Sequence, residues 1–225
     1  MKILVTGAGG QLGHEVVRCL NQSHHEVITP GRQELDFMFP DAAGRVIAGY
    51  RPDRVINCAA YTQVDKAESE PEAAFRINRD AAGKVAEAVA ETRGKVLPVS
   101  TDFIFSGKQD RPYTETDAAH PLSVYGQSKL EGEQAVVSAL SDALVLRTAW
   151  IYGVNGHNFV KTMLRIAAGG KPLQVVDDQV GSPTWAADIA AVIMRLLDSD
   201  AAGVFHYTNA GSTTWYGIAC AILDE

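Results

Sequence analysis

The stretch Gly7-Ala8-Gly9-Gly10-Gln11-Leu12-Gly13 follows directly on the apolar run Lys2–Thr6 and leads into a helix-forming segment. A short apolar run closed by glycine reads as a buried strand. Glycines at positions 7, 10 and 13 then bend the chain sharply into a helix. Gly7 permits the tight turn, Gly10 lets the backbone approach a pyrophosphate, and Gly13 allows the helix to pack close to the strand. The first helical N–H groups, at Gln11, Leu12 and Gly13, have no intrahelical acceptors and lie at the positive end of the helix dipole. Such a turn suits a phosphate-bearing dinucleotide.

The rest of the chain repeats this unit. Apolar runs at Glu26–Thr29, Arg54–Asn57, Lys95–Ser100 and Ala143–Arg147 are separated by helical stretches at Asp41–Tyr50, Pro71–Thr92 and Ser123–Leu140. Strands that are apolar on both faces and alternate with helices form parallel sheets covered on both sides. The expected fold class is therefore α/β, a Rossmann-type doubly wound parallel sheet with a small C-terminal lobe. Residues 1–152 would form the dinucleotide-binding domain, with 204–208 completing its sheet, and residues 153–225 mainly the lobe. After Trp150 the rhythm loosens, and the pattern predicts a helix over Asn158–Ala168, a short strand over Leu173–Val176, a helix over Thr184–Leu197, a strand over Val204–Thr208 and a helix from Thr213 to Leu223.

Composition narrows the class of partner. The formal charge is -7, without Lys/Arg runs, which argues against nucleic acid. No apolar run is long enough to span a bilayer, so no membrane partner is expected. Cys19, Cys58 and Cys220 lack metal-ligand spacing and read as reduced thiols of a cytoplasmic protein, with no metal site.

Tyr125-Gly126-Gln127-Ser128-Lys129 opens a predicted helix, and positions i and i+4 share a helix face. A free phenol titrates near about 10, too high for fast proton transfer at neutral pH, and a nearby ammonium would lower it. Thr101 falls at the end of the fourth strand, where open parallel sheets place their ligands. Its hydroxyl could orient a substrate carbonyl toward Tyr125; Ser100, pointing to the opposite face, is the competing candidate. The second strand ends in Thr29-Pro30-Gly31-Arg32, without the carboxylate that binds an NAD ribose. Arg32 could pair with a 2′-phosphate, which favours NADPH over NADH; a solvated surface arginine is the alternative. Asp36 would reach the adenine side.

Taken in order, the turn Thr6–Gly13, Cys58-Ala59-Ala60-Tyr61-Thr62 with Val64 and Asp65, Ser100-Thr101-Asp102-Phe103-Ile104-Phe105, Tyr125–Lys129, Arg147-Thr148-x-Trp150-x-Tyr152-Gly153, Asn158–Met163 and Asp178–Thr184 resemble the dTDP-4-dehydrorhamnose reductase family over essentially the whole chain. The resemblance implies an extended short-chain reductase that reduces the 4-keto group of dTDP-4-dehydro-β-L-rhamnose to give dTDP-L-rhamnose, with NADPH preferred or NADH. It implies Thr101, Tyr125 and Lys129 as the catalytic set. Gly7, Gly10, Gln11, Leu12, Gly13, Arg32, Asp36, Ala59, Ala60, Thr62, Tyr125 and Lys129 fall on the cofactor side. Val64, Thr101, Asp102, Phe103, Tyr125 and Trp150 fall near the sugar, and the lobe 153–225 would be the substrate-binding part. A tryptophan suits the apolar patch of a 6-deoxy sugar.

The sequence departs from the family in places. Phe103 stands where tyrosine is usual, Ala187 stands where some members place a magnesium ligand to partner the position of Glu15, and the chain stops at Glu225, short of the usual length. The expected partner is a nucleotide sugar, and the expected assembly a monomer or homodimer. A nucleotide-sugar dehydratase would carry an Asp-Glu pair after the threonine, whereas here Thr101-Asp102 leads to Phe103. A 4-epimerase is less firmly set aside. The NADP-binding regulatory subunit of methionine adenosyltransferase shares the fold without needing the Thr101, Tyr125, Lys129 set.

Overall fold

The computed structural model describes residues 1–170 and 172–224. In chain order its strands are β1 (Lys2–Thr6), β2 (Glu26–Ile28), β3 (Arg54–Asn57), β4 (Lys95–Thr101), β5 (Leu144–Thr148), β6 (Ile151–Tyr152), β7 (Val180–Gly181), β8 (Thr184–Trp185), β9 (Gly203–His206) and β10 (Thr213–Thr214). The helices are α1 (Gln11–Leu20), α2 (Pro40–Tyr50), α3 (Val64–Ala67), α4 (Pro71–Phe75), α5 (Ala82–Glu91), α6 (Val124–Ala139), α7 (Phe159–Ala168), α8 (Ala186–Leu197) and α9 (Trp215–Asp224). A six-stranded sheet runs β2-β1-β3-β4-β5-β9 with every pairing parallel, a Rossmann-like doubly wound sheet. From β1 the chain first winds outward to β2, then crosses back to β3. This reversal opens a crevice at the carboxyl ends of β1 and β3, where such sheets bind ligands.

Each face of the sheet is closed by helices. Leu4, Val55 and Val96 meet Ile47 of α2, Val85 and Val89 of α5 and Val136 of α6 on one side. On the other, Ile3, Val5, Ile56 and Leu146 meet Val16 and Leu20 of α1 and Ile189 and Ile193 of α8. Outside this sheet, β6 pairs with β8 in parallel and β7 with β10 antiparallel, two residues to a strand. Among the described residues no helix is long and apolar enough to cross a membrane.

Two predicted elements differ. The single helix over Pro71–Thr92 is interrupted by a wider π turn at Arg76–Ala81. Asn78 lies buried there, its amide bonded outward to Tyr61 and Ser128, and such a widened turn accommodates a side chain whose bonds leave the helix. The strand over Leu173–Val176 is absent. The segment alternates half-buried and exposed residues but gains no ladder partner, and Val176 offers only its carbonyl, to the Tyr216 N–H at 3.0 Å. Pairing instead occurs further on, at β7. The predicted helices Thr184–Leu197 and Thr213–Leu223 each begin two residues later, because their first pairs are used as β8 and β10.

Candidate active site

The glycine turn is built by backbone approach. Gly7 has φ 63, and a Cβ there would lie 2.7 Å from the Ala59 nitrogen, so β1 and the end of β3 meet at a distance only glycine permits. A Cβ on Gly13 would fall 2.2 Å from the Gly7 carbonyl oxygen. Gly10 caps α1 in extended conformation without a side-chain hydrogen bond, and its N–H donates back to the Gly7 carbonyl at 2.9 Å. Leu12 turns its side chain into the core, so only its backbone faces the crevice. The Gln11 amide oxygen accepts from the Asn158 side chain at 3.0 Å, joining α1 to the segment before α7.

On the same crevice edge, Ala59 donates its N–H to the Thr6 hydroxyl at 3.2 Å, Ala60 is half-buried, and Thr62 is exposed. Arg32 is 79% exposed and lies 3.7 Å from the Asp36 carboxylate, which also accepts the Met38 N–H at 2.9 Å. A pair so loose and solvated leaves the guanidinium available to a stronger anion.

Thr101 closes β4. Its buried hydroxyl accepts the Phe103 N–H at 3.2 Å and donates to the Asp102 carboxylate at 3.1 Å, capping a single turn over Asp102–Ile104. The N-terminus of α6 is pressed onto that turn, where a Cβ on Gly126 would lie 2.2 Å from the Phe103 carbonyl oxygen. The Ser123 hydroxyl caps α6 by accepting the Gly126 N–H at 3.1 Å. These contacts seat Tyr125 beside Thr101. The Phe103 ring meets the Tyr125 ring edge-on at 5.6 Å between centroids, and Val64 at the start of α3 packs in the same small cluster. One turn along α6, the Lys129 ammonium donates to the Val99 carbonyl of β4 at 2.7 Å. Thr101, Tyr125 and Lys129 are thus brought together, with Val64, Asp102 and Phe103 around them.

The electrostatics differ from expectation at one point. Burial pushes the Tyr125 phenol up to about 12; the Thr101 hydroxyl opposes this and the Asp102 carboxylate adds to it. Lys129 is not among the groups acting on the phenol, because its ammonium is turned to the β4 backbone. Burial instead brings Lys129 itself down to about 8, opposed by the Glu133 carboxylate one turn further along α6. Glu133 is in turn gripped by Arg147 of β5 through Nη2 at 2.7 Å and Nε at 3.0 Å, both residues buried. Burial also raises Asp102 above the usual carboxylate range.

Sequence reasoning missed Asn78 and Ser128. The Asn78 amide accepts the Tyr61 N–H at 2.8 Å and donates to the Tyr61 carbonyl and the Ser128 hydroxyl, which donates on to the Tyr125 carbonyl at 2.8 Å. The signal was an amide standing between Ala74 and Ala81 on the apolar stripe of a helix, a place that demands partners. Trp150 sits where β5 ends, with φ 44, and its indole is stacked on Trp215 rather than left open.

The residues present fit a dinucleotide. The cradle between Gly7 and Ala59 has no room for a Cβ, the α1 amino end carries no capping side chain, and the buried Ser100 and Thr148 hydroxyls, near the ends of adjacent strands β4 and β5, have no protein partner among the described residues.

Comparison with known proteins agrees. A family model described as the RmlD substrate binding domain matches residues 1–225. The dTDP-4-dehydrorhamnose reductase of Aggregatibacter actinomycetemcomitans is 40% identical over 231 residues, covering 100% of this chain and 79% of that protein. A crystal structure of dTDP-4-dehydrorhamnose reductase from Bacillus anthracis in complex with NADP superposes with a TM-score of 0.95 at 37% identity, over 100% of this chain and 80% of that one. UDP-glucose 4-epimerase from Thermus thermophilus, in complex with NAD, has a TM-score of 0.87 at 20% identity over 100% of this chain and 83% of that one, a likeness of fold alone. Because the match spans the chain from end to end, at identities well above those where only the fold is shared, this protein belongs to the RmlD substrate binding domain family, that of the dTDP-4-dehydrorhamnose reductases.

Proposed function

We propose that this protein is a cytoplasmic oxidoreductase that reduces the 4-keto group of dTDP-4-dehydro-β-L-rhamnose to give dTDP-L-rhamnose, using NADPH or NADH. The observation that carries this reading is the meeting of Thr101, Tyr125 and Lys129 at the end of β4, beside a glycine cradle, in a chain of this family. The bound dinucleotide supplies the hydride. Backbone N–H groups of Gln11, Leu12 and Gly13 hold its pyrophosphate at the α1 amino end. Arg32 would take a 2′-phosphate, Asp36 would lie toward the adenine, and Ala59, Ala60 and Thr62 would line the wall across from Gly7.

The protein's own chemistry is proton delivery. A phenol held at about 12 is fully protonated at neutral pH, so Tyr125 enters the reaction as an acid and gives its proton to the developing C4 alkoxide. Thr101 turns its hydroxyl to the same oxygen. Lys129, whose ammonium donates to the Val99 carbonyl at 2.7 Å in the structure, would hold the ribose hydroxyls of the nicotinamide half when the dinucleotide is bound, and its charge there would ease loss of the phenolic proton. Val64, Phe103 and Trp150 enclose the apolar edge of the deoxysugar, and Asp102 is held at its polar edge.

The test is loss of NADPH absorbance by the full-length protein with dTDP-4-dehydrorhamnose, beside keto-sugars on other nucleotides. Rapid turnover is expected with the dTDP sugar. Tyr125→Phe should lower it by about a hundredfold, the scale of a positioned general acid, with cofactor affinity unchanged. NAD that stays bound through turnover, with epimerised sugar as product, would replace this reading with an epimerase.

A further inference from the structure

The Trp150 indole is held in place from outside the main sheet. Its backbone is left-handed, φ 44, a conformation that a bulky residue keeps only when its surroundings enforce it. The enforcing contacts are specific. The indole of Trp215, the first residue of α9, stacks on Trp150 with ring centroids 3.6 Å apart and planes 10° from parallel. Phe159, at the start of α7, supports Trp215 in turn at 4.5 Å. Gly181 of β7 lies against the Nε1–Cε2–Cζ2 side of the Trp150 ring, where a Cβ would come within 2.4 Å of Cε2. The Trp150 carbonyl accepts the Thr184 N–H at 3.1 Å. Trp150 remains only half-buried.

From this geometry we infer that Trp215 and Gly181 are positioning residues for the sugar site: they set the angle of the Trp150 indole, and so the affinity for the keto-sugar, without touching the cofactor. This rests on the proposed reduction of a nucleotide-linked deoxysugar. Neither residue adjoins the glycine turn or the Tyr125–Lys129 helix, and both lie on segments far along the chain from β5. A ring fixed in this way binds the sugar's apolar face with little reordering, which is the advantage of a preorganised site. Loss of the stack lets the indole leave its strained backbone setting, and the loss falls on sugar binding.

The experiment measures KM for each substrate and kcat in the full-length protein and in Trp215→Ala, Trp215→Phe and Gly181→Ala. Trp215→Ala and Gly181→Ala should raise KM for the keto-sugar nucleotide about tenfold, the scale of a lost aromatic contact, while KM for NADPH and kcat stay near the unsubstituted values. Trp215→Phe keeps a ring on the stack and should restore most of the sugar affinity. A second readout needs no turnover: two indoles this close give an exciton couplet in circular dichroism, lost in Trp215→Phe. In the unsubstituted protein, dTDP-L-rhamnose should change the couplet and dTDP should not. Unchanged sugar KM in both Trp215→Ala and Gly181→Ala, or a couplet indifferent to the sugar, would overturn the inference. So would a joint fall in kcat and in both affinities in every variant, the mark of a merely structural stack. If the unsubstituted protein reduces no keto-sugar, the proposed reaction fails, and the couplet titration alone decides whether Trp150 and Trp215 form a sugar site.

Discussion

The end of the main sheet around β4 and α6 and the small sheets beyond β5 hold their groups in different ways. At that end of the sheet, from the glycine turn to α6, the parts meet backbone to backbone. Gly7 lies against Ala59, Gly13 against Gly7, Gly126 against Phe103, and Gly132 against the Asn78 carbonyl, each at a distance that excludes a Cβ. Beyond β5 the strands are two residues long, and side chains do the joining: Trp150 on Trp215, Asn209 to Trp185 and Asp188, Ser182 to the Gly211 carbonyl. Several large apolar residues there, Leu164, Val176, Val180 and Tyr216, are at least half exposed. The first region leaves little room for its backbones to shift. The second is held by side-chain contacts across short strands. Changes at the two should therefore fail differently, catalysis in the first and local stability or affinity in the second.

The largest effect should come from Gly126→Ala. The new methyl would meet the Phe103 carbonyl oxygen at 2.2 Å, so either α6 or the turn after Thr101 must move. A displacement of about an ångström between Tyr125 and Thr101 is expected to cost roughly a hundredfold in turnover, with a stability loss of about 1–3 kcal/mol. Dinucleotide affinity, measured by titration of the folded variant, should change much less, since the Gly7 cradle is untouched. Unaltered turnover would mean that the close packing of α6 does not position Tyr125, and the contrast between the regions would lose its basis.

A smaller effect concerns Lys129. With its ammonium brought to about 8, it is charged at neutral pH and loses its proton above that value. NADPH affinity of the free protein should therefore fall by about tenfold between pH 7 and pH 9, while Lys129→Arg, which stays charged, should show no such limb. The signs for stability follow from the same shifts. Lys129 titrates lower folded than unfolded, so this group destabilises the fold below about 8 and the cost is relieved as pH rises to the ordinary lysine value. Tyr125 titrates higher folded than unfolded, so stability falls as pH rises from the ordinary phenol value toward about 12. An NADPH affinity that is flat across this range would place Lys129 outside the cofactor site.

The first region was legible because its requirements are local. Gly7, Gly10 and Gly13 sit within one turn, Tyr125 and Lys129 share a helix face, and each strand announces itself as an apolar run with a helix after it. Even there, what acts across the chain stayed hidden: that Lys129 bonds the Val99 carbonyl rather than the phenol, or that Asn78 opens a π turn to reach Tyr61 and Ser128. The second region was mostly illegible. A two-residue strand has no periodicity to detect, and β7 finds its partner in β10 across the intervening β8, α8 and β9, whereas the apolar alternation at Leu173–Val176 finds no ladder partner. The stack of Trp215 on Trp150 depends on a backbone angle no sequence pattern records.

The smallest effect, and the sharpest test of separateness, is Asn209→Ala. The Asn209 side-chain oxygen Oδ1 accepts the Trp185 N–H at 2.7 Å, and its Nδ2 donates to Asp188 at 2.7 Å. It thereby serves the start of α8, whose own N-cap residue offers no side-chain bond. Removing it should cost about 1–2 kcal/mol, the price of a lost cap with one acceptor left solvated. For a chain of this size that is a fall of about 2–8 °C in Tm. Amide exchange should speed up over Thr184–Asp188 and leave the β1, β3 and β4 amides unchanged. NADPH affinity should not move. If exchange quickens equally through β4 and the glycine turn, the two regions unfold as one, and the side-chain contacts beyond β5 are part of what holds Thr101 and Tyr125 together.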